Sequence, residues 1–264
     1  MKKNRFIMMA ALVAVLAGCS KSTYYQVYQT QPVDENSVVN NNGKLQHDAG
    51  KLVVSYNFFA ENGDGGFWLT NNSDSIIYVN LAESFFIVDG QARDYYQDRE
   101  WTTTKSSTIT LSKREGKTRN GKKNKEKTEG TSTTSVNAST FNERSMIMVP
   151  PHSTKYFTEF SICNTVLEMC GVKDTPKKSR PDGKTFTLEN TPLTFGNFIT
   201  YTVGSKGKAQ HVSDNFFVSQ VINVNGDAMF EMVRLKDACG KEKGDKVEQH
   251  KYATPDRFFV KYKK

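Results

Sequence analysis

Asp94-Tyr95-Tyr96-Gln97-Asp98-Arg99-Glu100-Trp101 is the stretch whose residue types are most suggestive of chemistry. Flat aromatic faces stack on sugar rings or peptide side chains, and Asp, Gln and Arg hydrogen-bond hydroxyls. Tyr95, Tyr96, Arg99 and Trp101 therefore make a candidate ligand surface. The same run also reads as a strand whose Tyr95 or Tyr96 fills a core while its polar neighbours face water, since 17 Phe and 11 Tyr have to be placed somewhere.

Catalytic constellations are otherwise scarce. The chain contains no G-x-S-x-G elbow, no H-E-x-x-H, no phosphate-cradling G-x-x-x-x-G-K-[ST], no G-x-G-x-x-G after a strand and no C-x-x-C. His47, His152, His211 and His250 are dispersed over expected loops; His152 follows the stiff Pro150-Pro151 pair, which suits a ligand contact or an exposed turn. A carboxylate pair for glycoside hydrolysis is defined by a distance, and 28 acidic residues make chance pairs easy to imagine. Cys163, Cys170 and Cys239 leave one thiol over in any disulfide pairing: Cys163 with Cys170, either with Cys239, or three small buried apolar side chains all fit. Six residues separate the close pair and no His lies at zinc-finger spacing from it, so neither a metal nor a cofactor is expected.

The amino terminus carries chemistry of another kind. Lys2, Lys3 and Arg5 precede an apolar segment over residues 6–16, and Leu16-Ala17-Gly18-Cys19 follows. At about 1.5 Å per residue the segment reaches roughly 17 Å, short of a hydrocarbon core of about 30 Å. It reads as a signal peptide, with Ala17 and Gly18 as the small side chains a signal peptidase needs beside the scissile bond. Residues 16–19 closely resemble the lipobox of bacterial lipoproteins. That resemblance implies cleavage before Cys19, a diacylglyceryl group on its thiol and anchoring by acyl chains worth about 0.8 kcal/mol per buried CH2. Ser20 follows with no acidic run, which by analogy with lipoprotein sorting implies the outer membrane, on its periplasmic or its surface side.

Removing residues 1–18 lowers Lys plus Arg from 36 to 33 against 28 acids, so the balance falls from +8 to +5. Much of that excess sits in one place. Between residues 113 and 129 lie eight Lys or Arg (113, 114, 117, 119, 122, 123, 125, 127) and three Glu. The surrounding segment 102–145 is rich in Thr, Ser, Lys, Gly and Asn and nearly lacks aliphatic side chains after Leu111, so a mobile basic loop is expected. Such a loop attracts anionic polymers, but without interleaved aromatic residues nucleic acid is not favoured. Residues 20–50 are polar and read as a tether, within which Tyr24, Tyr25 and Tyr28 form an edge strand or rest at the membrane interface.

The elements that must carry all this alternate with period two. Residues 155–162 put Tyr156, Thr158, Phe160 and Ile162 on one face; residues 199–203 and 257–262 alternate likewise around Ile199, Tyr201 and Val203 and around Phe258, Val260 and Tyr262. Asp89-Gly90 and Asn225-Gly226 predict tight hairpins. Further strands are expected at 52–59, 67–70, 76–81, 146–149, 186–188 and 216–220, and the best helical candidate, 164–169, is barely two turns. The fold expected is an all-β antiparallel sandwich over residues 51–264, immunoglobulin-like, with extra hairpins and one long disordered insertion.

Asn71-Asn72-Ser73-Asp74-Ser75-Ile76-Ile77-Tyr78-Val79-Asn80, Phe85-Phe86-Ile87-Val88-Asp89-Gly90 and Met148-Val149-Pro150-Pro151-His152-Ser153 resemble cell-envelope lipoproteins of Gram-negative bacteria, a group that brings no activity with it. The expected function is a lipid-anchored, non-enzymatic module that binds a protein partner or envelope polysaccharide. The alternatives are an envelope glycan-acting enzyme and an anionic-polymer binder working through residues 113–127.

Overall fold

The computed structural model describes residues 22–34, 38–41, 43–112 and 130–264, without the side chains of 40, 41, 105–112 and 130–137. Leu16, Ala17, Gly18, Cys19 and the basic run 113–127 lie outside the described residues. The described residues form two compact units, one from those within 96–145 and the other from those before 96 and after 145.

The larger unit is built from two antiparallel sheets, as an all-β sandwich requires. Its small sheet holds five strands: β2 (Val39–Asn41), β3 (Lys44–Asp48), β4 (Leu52–Tyr56), β5 (Phe67–Asn71) and β11 (Thr154–Phe157), in the order β11-β5-β4-β3-β2. The large sheet runs β10 (Met146–Val149), β6 (Ile77–Val88), β13 (Thr194–Val203), β14 (Gln210–Asn225), β1 (Thr23–Pro32), β17 (Arg257–Lys263). Two short strands extend it: β7 (Gln91–Asp94) on β6 and β12 (Asp182–Thr185) on β14. Beside them, β15 (Phe230–Lys236) pairs with β16 (Glu242–His250) as a separate hairpin.

Aromatic packing joins the two sheets. Phe58, just past β4, sits edge-on to Phe195 of β13 and Phe216 of β14 at ring separations of 5.0 and 4.8 Å, while Tyr56 meets Phe216 at 5.2 Å. A second core on the large sheet gathers Tyr25, Val27, Val224, Met229 and Phe259. Alternation places these side chains: Leu52, Val54 and Tyr56 point inward from β4, and Phe67, Leu69 and Asn71 from β5.

Several expectations change at this point. The stretch read as a tether builds β1, β2 and β3, and β1 lies between β14 and β17, an interior strand and not an edge. Its polar composition misleads because some of its polar groups are satisfied internally: fully buried Gln26 donates to the Leu167 carbonyl at 3.0 Å and to Asn223 Oδ1 at 2.9 Å. The segment 155–162 is a strand only to Phe157, with the opposite phase, Phe157 at 7 % exposure facing in and Tyr156 at 38 % facing out. Asp89-Gly90 makes the expected hairpin, with φ of 48° and 76°. Asn225-Gly226 does not: Asn225 is extended and caps a 3-10 turn, Gly226–Ala228. Gly226 is required there because a Cβ would lie 2.7 Å from the Thr23 carbonyl oxygen. Residues 164–169 are irregular and 186–188 are not a strand; the 3-10 turn is the only helical element among the described residues.

The smaller unit is one antiparallel hairpin, β8 (Glu100–Ser112) with β9 (Gly130–Asn142). Both ends of the segment read as a mobile loop are thus paired strands.

Candidate functional site

The Asp94–Trp101 surface is divided between the two units. Tyr95 is a core residue, 4 % exposed, packed edge-on to Phe67 and Phe160 and donating its hydroxyl proton to Asn197 Oδ1 at 2.5 Å. Burial pushes its phenol well above the ordinary range, so it is a neutral donor and not part of a ligand surface. Tyr96, Arg99 and Trp101 belong to the hairpin unit. There Glu143 acts as a hub, accepting from Arg99 Nη2 at 2.6 Å and from the backbone N–H groups of Gln97 and Arg99 at 2.9 and 3.1 Å. Burial raises the Glu143 pKa, but these hydrogen bonds outweigh it and hold the carboxyl below its usual range. Tyr96 donates to Asp98 at 2.7 Å. The Arg99 guanidinium lies 5.4 Å from the Trp101 ring centre, and Trp101 remains 49 % exposed opposite Phe141.

The other candidate groups separate as well. Cys163, Cys170 and Cys239 are all free thiols, two of them exposed. His152 stands in a turn at φ 53° beside exposed Asp74, His211 stacks on Phe198, and His250 lies among Phe59, Phe230 and Phe259. Among the described residues no cluster of three or more His, Cys, Asp or Glu could hold a metal ion.

His47 has a less local role. Asp214 of β14 is buried at 1 % exposure between the sheets, where Oδ1 meets His47 Nδ1 at 2.5 Å and Oδ2 accepts the Tyr56 hydroxyl at 2.5 Å. Burial, then the neighbouring Asp214 charge, keeps Tyr56 protonated far above its ordinary pKa. The three residues form a polar clasp that ties β3 and β4 to β14. Sequence reasoning missed it because Asp214 is 167 and 158 residues from its partners.

The opposite face of the small sheet carries the open site. Register aligns Tyr156, Trp68, Ser55, Gln46 and Val39 in a row across β11, β5, β4, β3 and β2. The small Ser55 between the indole and Gln46 leaves a notch, the centre of a groove of about 540 Å3. Thr70 and Thr154 wall it on one side, their hydroxyls 2.9 Å apart, and Thr254 on the loop before β17 forms another part of the rim. Gln46 Nε2 reaches Ser55 Oγ at 3.4 Å. Lys44 is the single charged residue among those described as lining the groove.

The indole is held in place from behind. Tyr156 stacks on Trp68 with ring centres 4.4 Å apart and planes 24° apart, and its hydroxyl donates to the Asp64 carboxylate, which also accepts the Gly66 N–H at 2.9 Å. Burial and then that hydrogen bond push the Tyr156 pKa up to about 12. Trp68 is legible in principle, because Phe67 and Leu69 facing inward force it outward, whereas the period-two reading of 155–162 groups Tyr156 with Ile162, which is buried while Tyr156 is not. No known protein family, curated protein or solved structure matched the chain.

Proposed function

We propose that this protein is a lipid-anchored, non-enzymatic binding module of the bacterial outer membrane, with the groove over Ser55 as its contact surface. One observation carries the binding half: half-buried Trp68 sits on the outer face of a sheet whose inner face already holds the core, and with its ring stacked on Tyr156 it borders the groove. The lipobox-like residues 16–19, behind a basic head and a short apolar run, support the anchor.

The enzymatic alternative finds no support in this groove, because no carboxyl group is among the described residues that line it. Two measurements test the proposal. Cys19→Ser moves the protein from the membrane fraction to the soluble fraction, and mass spectrometry of the wild type finds an acylated amino-terminal Cys19 peptide; an unmodified peptide removes the anchor. A photo-crosslinking residue at Thr70 captures an envelope component that the same residue at exposed Leu188 does not, and equal capture removes the groove.

A further inference from the structure

We infer that the groove over Ser55 accepts a neutral saccharide ring, stacked on Trp68 and hydrogen-bonded by Gln46, Ser55, Thr70 and Thr154; this rests on the binding-module reading above. A pyranose combines an apolar C–H face with a rim of hydroxyls that both donate and accept. The groove presents the complement. Its indole is an apolar wall, and its polar lining is dominated by hydroxyls and amides, which satisfy either hydrogen-bonding role.

Three features select this ligand class. Trp68 and Gln46 sit two strands apart, about 10 Å at ordinary strand spacing, so the notch between them has the width of one ring with its substituents. Charge argues the same way, since Lys44 is the single basic or acidic residue among the described lining residues and an acidic polymer would meet little compensation. Backbone recognition of a peptide is also closed off, because β3, β4 and β5 each have a strand on both sides and offer no free edge. The Tyr156 stack and its Asp64 hydrogen bond fix the indole before binding, which reduces the entropy lost when a ring docks.

The chain has two tryptophans, so a Trp101→Phe background leaves Trp68 as the sole indole reporter. Full-length protein in detergent is titrated with gluco-, manno- and N-acetylgluco-oligosaccharides of four to six units, and with heparin as the anionic comparison. At least one neutral series gives a saturable change in Trp68 fluorescence, and heparin does not compete. Calorimetry with that oligosaccharide then shows about tenfold weaker binding for Trp68→Ala and a smaller loss for Trp68→Tyr. Affinity unchanged in Trp68→Ala overturns the inference, as does a flat response to every neutral series. The Thr70 crosslinker separates the two levels. Capture of a polypeptide with a flat sugar titration overturns the saccharide and leaves the binding module, whereas capture of nothing beyond the Leu188 control overturns both.

Discussion

One five-stranded sheet has two faces that invert each other's chemistry. Its inner face is aromatic and aliphatic with a polar group set into it: Asp214 reaches in from the facing sheet to meet His47 and Tyr56. Its outer face is polar, Thr70, Thr154, Ser55 and Gln46, with a stacked aromatic pair set into it, Trp68 and Tyr156. A buried polar cluster adds to stability only if every member is partnered, whereas the stacked aromatic pair on the outer face keeps part of its apolar surface open to solvent. The first is stability chemistry and the second, on the function proposed above, is recognition chemistry, separated by the thickness of one pleated sheet.

Substitutions of graded severity sharpen that contrast. Phe58→Ala empties a site enclosed by Tyr56, Phe195 and Phe216 and lowers unfolding free energy by about 3–5 kcal/mol in urea titrations. Asp214→Ala leaves two inward-facing partners without their acceptor and costs roughly 2–4 kcal/mol by the same measurement. Tyr56→Phe removes a single hydroxyl and costs about 1–2 kcal/mol. On the outer face, Trp68→Ala removes a half-buried ring and its stack on Tyr156, costs about 1–2 kcal/mol of stability, and weakens oligosaccharide binding about tenfold by calorimetry. If Trp68→Ala instead destabilises as strongly as Phe58→Ala, the outer face is a second core and the division fails.

The smallest effect is a pH dependence. Burial and its hydrogen bond to Asp64 push the folded Tyr156 phenol up to about 12 from its ordinary 10.0, so between these values the folded state keeps a proton that the unfolded chain has lost. Its stabilising contribution is complete below pH 10 and is lost as pH rises from 10 to 12. Wild-type unfolding free energy therefore falls over that window more steeply than that of Tyr156→Phe, which lacks the group.

Local signals in the sequence were reliable where the structure obeys local rules. Residues 146–149 form the strand expected of them, and Asp89-Gly90 supplies the two positive-φ residues of a tight hairpin. They failed where a distant partner decides. Asn225-Gly226 reports turn chemistry, yet the Thr23 carbonyl across the sheet fixes what Gly226 does. Gln26 and Thr30 read as linker residues until the Leu167 and Asp256 carbonyls are brought to them. The phase of β11 was lost because Tyr156 and Phe157 are adjacent aromatics, and only pairing with Trp68 and Phe67 assigns one outward and one inward. The groove joins residues of β3, β4, β5, β11 and the loop before β17, and no linear motif could encode it.

The placement of β1 changes what an anchor at Cys19 would do. Thirty extended residues would let the body roam up to about 100 Å from the bilayer, but β1 begins at Thr23, and the three intervening residues reach only about 10 Å. Thr23 pairs with Lys263 at the end of β17, while the groove rim at Thr254 precedes the start of that strand, seven residues and about 20 Å away. An acylated molecule would therefore keep the Lys263 end of β17 next to the lipid and the groove rim beyond the other end of that strand. The reach of the groove into the envelope would then be set by the length of one strand and not by a long leash.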